Sequence, residues 1–174
     1  MTVPRFSVTA LCLLLALAWT GAAWAELEPY SARYSIYRNG KLSGKLEVRL
    51  APEGAQWALR SELSGTHGLA RILRARDTEY VLGTTNDAGR FVPREHVRHT
   101  RVAGIDDRWV SKFDWAADRV EVVHDGKDRY ELPLSGRALD PLSLKLEVQR
   151  RLRDPEPDLE FLMVDEDEID PQQF

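Results

Sequence analysis

The chain carries four histidines, 28 acidic residues and one cysteine, and their spacing decides which chemistry they can share. His96 and His99 have the spacing of a ligand pair, but residues 91–101 alternate as a strand does, and in a strand a spacing of three sends side chains to opposite faces. Glu95, Val97 and His99 share one face without a third orienting group, so they read as solvent-facing. His67 and His124 stand alone in the sequence. Asp165, Asp167 and Asp170 gather carboxylates as a calcium loop does, yet lack the glycine of a tight calcium turn, and read as a solvated acidic turn. No metal ligand set is expected.

Nucleophilic chemistry finds no better footing. There is no Gly-x-Ser-x-Gly elbow, and Gly65 and Gly68 lack the further glycine or lysine of a phosphate loop. No pair of carboxylates sits in an apolar setting that would raise one of them into an acid. No catalytic residue and no cofactor is therefore assigned. A hydrolase using acidic groups in a cleft remains only as a third alternative.

The informative residues are apolar. Tyr34, Trp57, Tyr80, Trp109, Phe113 and Trp115 are expected on one concave sheet face, either as core beneath a helix or, in part, as the lining of a groove. Curled sheets can enclose a small ligand. Leu69, Ile72 and Leu73 fall at helical spacing and would form a movable lid over such a groove. Arg71 and Arg74 beside them would sit at its mouth, suited to an anionic headgroup or acidic polymer, unless they are simply solvated.

The elements that must position these residues are mostly strands. Tyr30, Ala32, Tyr34 and Ile36 alternate with polar neighbours, and Asn39-Gly40 follows at once, the strongest short-range hairpin signal. Leu42, Leu46, Val48 and Leu50 mark a second strand, ended by Pro52-Glu53-Gly54, and Trp57, Leu59 and Leu63 a third. Beyond the short helix at residues 69–73, strands are expected over 78–82, 91–101, 108–115, 120–124 and 129–134, with turns at Ala103-Gly104 and Asp125-Gly126 among them. Asp140 reads as a helix N-cap with Pro141 in the first turn. Leu142, Leu144, Leu146, Val148 and Leu152 supply the apolar side of this helix, and Arg150, Arg151 and Arg153 its favoured basic end. Leu159, Phe161 and Met163 begin another strand, whose partner is expected beyond the last residues.

Arg5, an apolar run at residues 8–19 and Ala23-Trp24-Ala25 ahead of Glu26 have the three-part layout of a secretory signal peptide cleaved after Ala25. Cys12 lies inside the apolar run, so residues 26–174 carry no cysteine and no disulfide, and stability must come from a hydrophobic core. These residues are expected to form a single domain in the periplasm, with no transmembrane span once the leader is removed. Residues 26–104 hold 13 basic against 9 acidic side chains, and residues 105–174 hold 10 against 19. That distribution lacks the concentrated basic face a nucleic acid would need.

Several of these segments together resemble one family. They are Tyr34-Ser35-Ile36-Tyr37-Arg38-Asn39-Gly40-Lys41-Leu42-Ser43-Gly44, Ser64-Gly65-Thr66-His67-Gly68-Leu69-Ala70, Phe113-Asp114-Trp115-Ala116-Ala117-Asp118-Arg119-Val120, Glu131-Leu132-Pro133-Leu134 and Leu139-Asp140-Pro141-Leu142-Ser143. In this order, on an exported chain, they are similar to the exported bacterial proteins grouped as domain of unknown function 3108. The resemblance implies a mainly β (α+β) fold: a curled antiparallel sheet or half-open barrel wrapped around one main helix, as in lipoprotein-carrier proteins. It implies further strands after residue 174, and it carries no catalytic residues.

The expected function is thus a non-catalytic envelope module binding an apolar or amphiphilic ligand on the concave face. The alternative is a scaffold that docks another envelope protein through strand edges or the basic segment at residues 90–101.

Overall fold

The computed structural model describes residues 27–87, 89–134 and 138–174. The leader expected at residues 1–25 lies outside them. Eight strands run as an antiparallel meander: β1 (Tyr30–Arg38), β2 (Lys41–Glu53), β3 (Gln56–Gly65), β4 (Arg76–Thr85), β5 (Phe91–Val102), β6 (Ile105–Asp114), β7 (Arg119–His124) and β8 (Asp128–Pro133). A short helix, α1 (Gly68–Ile72), interrupts between β3 and β4. After β8 come β9 (Ala138–Leu139), helix α2 (Pro141–Arg151), β10 (Glu160–Asp165) and β11 (Glu168–Gln173). The last three strands form a second sheet in the order β11-β10-β9.

The turns explain the meander. Asn39 and Gly40 have φ of 51° and 72°, and Ala103-Gly104 and Asp125-Gly126 repeat the pattern of two successive positive values. That is the geometry whose twist matches two paired strands.

Strand register sorts the large sheet into two faces. Leu50, Leu59, Val81, His96, Ser111, Val122 and Tyr130 oppose one another in turn across β2 to β8 and make one continuous row. The next row on the same face is Val48, Ser61, Glu79, Arg98, Trp109, His124 and Asp128. A third contains Tyr34, Leu46, Leu63, Asp77, Thr100 and Asp107. The opposite face carries exposed cross-strand ion pairs, such as Arg60 with Glu53 and Arg129 with Glu121, each worth little in water.

α2 covers one end of the first face. Leu142 and Leu146 pack with Leu50, Leu59, Val81 and Phe91, while β9 and β10 bring Ala138 and Val164 onto Phe113, Val120 and Val122. A register shift between Leu82 and Gly83 turns Phe91 and Pro93 onto this face. Gly83 is required there, because a Cβ would stand 2.6 Å from the Phe91 ring.

The helix starts where its capping signals lie. Asp140 accepts from the Leu142 and Ser143 amides at 3.0 and 2.9 Å, and Ser143 Oγ donates to the same carboxylate. Its buried side differs from the expected one: Leu152 is 60% exposed and Val148 half-buried, while Ser143, Glu147 and Arg151 are buried beside the leucines. Arg151 is retained inside because it donates to Glu147 and lies over the Phe161 ring.

Two expectations are corrected by register. Residues 168–173 themselves form β11, which pairs with β10 from Asp165↔Glu168 to Glu160↔Gln173, so the strand at Phe161 has its partner. Tyr80 lies on the charged face under Arg60, because Val81 is the β4 residue opposite Leu59.

Candidate functional site

The helix-bearing face has three zones. At the covered end, Trp57 packs against the Leu50 cluster, and Phe113 is only 7% exposed. Trp115 stacks on Phe113 with ring centroids 5.8 Å apart and donates its indole N–H to the Pro93 carbonyl at 2.6 Å. A satisfied indole among buried neighbours is core packing. Trp57, Phe113 and Trp115 thus sit on one face, as the alternation requires, beneath α2 and β9–β10, and partly buried Trp115 also lines a recess of about 180 Å³ with Phe91, Pro93, Leu139, Arg151 and Phe161.

A polar belt crosses the middle. Glu79 and His96 stand 4.0 Å apart, and Arg98 reaches Asp77 at 3.9 Å and the β10–β11 turn at Asp165 and Glu166, 3.7 and 3.6 Å away. Buried Glu79 Oε2, His96 Nε2 and Arg98 Nε make no hydrogen bond. Farther along, His124 Nε2 meets Asp107 Oδ1 at 2.7 Å, and Trp109 stacks on the imidazole. The hydrogen bond to Asp107 raises the His124 pKa, with Asp125 and Asp128 adding to it and desolvation opposing. His99, by contrast, pairs with Asp106. Register puts it on the charged face, so His96 and His99 do point apart.

The open end is apolar. Tyr34 is 53% exposed, and Ile36 and Leu63 stand beside it on the same face, also exposed. They adjoin a recess of about 340 Å³ walled by Ile36, Gly44, Leu63, Gly65, Ala70, Ala75 and Val102, with Arg76, Asp77, Thr100 and Arg101 as its polar margin. α1 closes one side of it. A Cβ at Gly65 would lie 2.6 Å from the Ala70 Cβ, so only glycine lets α1 sit this close to β3. Hydrogen bonds from Gly65 N to Ala75 O at 2.8 Å and from Ala103 N to Leu73 O at 2.9 Å hold the helix in place.

The side that α1 turns inward is not the expected one. Ala70 faces the sheet, Leu73 is half-buried, and Leu69 and Ile72 are 67% and 76% exposed. A helix of one and a half turns buries whichever side chain lets the backbones approach, and here that is the smallest. Arg71 and Arg74 are exposed, with no carboxylate within ion-pair distance among the described residues. Of the residues expected to bind, Tyr34, Leu69, Ile72, Leu73, Arg71 and Arg74 therefore belong to the open end, Trp109 to the polar belt, and Trp57, Phe113 and Trp115 to the core. Sequence reasoning missed Ile36, Leu63, Ala70, Ala75 and Val102. The alternation of Tyr34 with Ile36 was a usable signal for the first of these.

No helix among the described residues is long and apolar enough to cross a membrane. Comparisons with protein-family models, curated proteins and solved structures return no match for this chain.

Proposed function

We propose that the chain is a non-catalytic binding module of the cell envelope, exported by a cleaved leader. It takes an amphiphilic ligand at the open end of its helix-bearing face. The apolar part lies in the recess between Ile36, Leu63 and Ala70, and an anionic head meets Arg71 and Arg74. The observation that carries this reading is the set of large apolar side chains left in water around that recess, on the one face whose other end is core. Contiguous exposed apolar surface rimmed by polar groups marks a binding site more often than it marks idle surface. The resemblance to the exported family and to lipoprotein-carrier folds, with the large sheet curled around its helix, agrees with such a role.

Native mass spectrometry of the protein recovered from the periplasm without detergent tests it. A co-purifying apolar adduct lost on denaturation is the expected result, and a clean apo mass would count against it. The scaffold alternative has one observation in its favour: β1 is an edge strand, with Arg33, Tyr34, Ser35, Ile36 and Tyr37 all exposed. Such an edge can accept a strand from a partner protein.

A further inference from the structure

His124 and Asp107 meet at the far edge of the polar belt, where Asp107 stands across the β5–β6 pair from Thr100 at the margin of the recess. His124 ends β7, Asp107 lies on β6, and Asp125 opens the turn into β8. Ligand atoms of Asp107, His124 and Asp125 lie within 4.8 Å of one another. From these residues we infer a binding site for a divalent transition metal of the zinc type, coordinated by His124 Nε2, Asp107 Oδ1 and Asp125 Oδ2.

Orientation, rather than mere proximity of carboxylates, supports the site. Each carboxylate has one oxygen held by a fixed donor: Trp109 Nε1 donates to Asp107 Oδ2 at 3.2 Å, and the Arg108 amide donates to Asp125 Oδ1 at 3.0 Å. The other oxygen of each then faces the same imidazole nitrogen, at 2.7 Å for Asp107 and 3.8 Å for Asp125. Trp109 lies over the imidazole at 4.0 Å and 6° from parallel, which fixes the ring plane. On the far side of the ring, Asp128 Oδ2 stands 3.8 Å from Nδ1. That is where a metal-bound histidine usually directs its other N–H to a carboxylate.

Size and charge agree. Tetrahedral ligands at about 2.0–2.1 Å from zinc stand roughly 3.3 Å apart. The separations of 2.7 and 3.8 Å from His124 Nε2 bracket that value, and the two carboxylate oxygens lie within 4.8 Å of each other. Three aspartates converge on one imidazole, and no lysine or arginine pairs with any of them among the described residues. One nitrogen and two carboxylate oxygens, with a fourth position left for water, suit zinc better than magnesium or calcium, which prefer all-oxygen sets.

The test is isothermal titration of zinc chloride into the untagged, chelator-washed chain, beside Asp125→Asn, His124→Ala and the distant turn variant Asp118→Asn. Thermal melts would establish that each variant is folded. The expected result is one zinc per chain, at least tenfold weaker binding in Asp125→Asn, loss in His124→Ala, unchanged binding in Asp118→Asn, and magnesium at least tenfold weaker than zinc. Asp125→Asn keeps the imidazole and the turn, so it remains informative if His124→Ala fails to fold. No binding by wild type at about 1 mM zinc, or zinc binding that both site variants leave unchanged, would overturn the site.

Discussion

The Cβ that Gly65 lacks would stand 2.6 Å from the Cβ of Ala70, and this close approach of strand to helix shapes the open end of the molecule. It seats α1 over the sheet by its smallest side chain and leaves Leu69 and Ile72 in water. A single methyl at position 65 therefore tests the geometry. Gly65→Ala should push α1 outward, lower stability by about 1–3 kcal/mol, the usual range for overpacking, and change uptake of an apolar probe. A melt and a binding curve identical to wild type would show that α1 is not seated as described.

Core and site separate by substitution. Phe113→Ala should cost about 3–5 kcal/mol, because it empties a buried position, and should affect ligand uptake only through lost folding. Leu63, 39% exposed, should lose under about 1 kcal/mol on change to alanine and yet weaken uptake. Denaturant midpoints measured beside probe binding on both variants distinguish the two positions. Equal stability losses would place Leu63 in the core.

Glu147 makes α2 sensitive to acid. Burial alone would raise its pKa, but hydrogen bonds and charge from Arg150 and Arg151 outweigh it, and the net shift is downward. Its contribution is therefore complete above the ordinary glutamate value and is lost as pH falls through the lowered one. Glu147→Gln also takes the buried carboxylate from the Arg151 guanidinium and leaves it only the exposed Asp158 at 3.5 Å, at a cost of up to about 3 kcal/mol at neutral pH. Melts from neutral to acid pH should converge for wild type and variant. A constant gap across that range would contradict the shift.

His124 gives the opposite slope. Its raised pKa, due first to the hydrogen bond it donates to Asp107 and then to Asp125 and Asp128, contributes stability in full below the ordinary imidazole value. The contribution disappears as pH rises through the folded value. With chelator present to exclude metal, Asp107→Asn should lower the melting temperature at mildly acid pH and have less effect on the alkaline side. An effect independent of pH would remove the charged pairing.

Much of this architecture was legible in the sequence because its signals are local. Asn39-Gly40, Ala103-Gly104 and Asp125-Gly126 each specify a turn by backbone conformation, and Asp140-Pro141 specifies a helix start by its side chain and ring. The unread parts depend on partners distant in sequence. Tyr80 and Val81 are both apolar enough to face inward, and only the register against Leu59 decides between them. Leu69 and Ile72 have helical spacing, but spacing cannot say which side a neighbour covers, and Gly65 favours Ala70. Glu79, His96 and Arg98 are polar residues on a face read as apolar. The cluster at Asp107, His124 and Asp125 needs two hairpins in register before its spacing means anything.

The most direct measurement is titration of a fluorescent single-chain anionic amphiphile, below its micelle concentration, into wild type, Leu63→Arg and the Arg71→Glu/Arg74→Glu pair, with melts on each. Saturable binding by wild type at one probe per chain is expected, abolished by the arginine in the recess and weakened by reversing the two rim charges while the fold is retained. Absence of saturable binding to folded wild type, or binding that Leu63→Arg leaves intact, would contradict a ligand site at the open end.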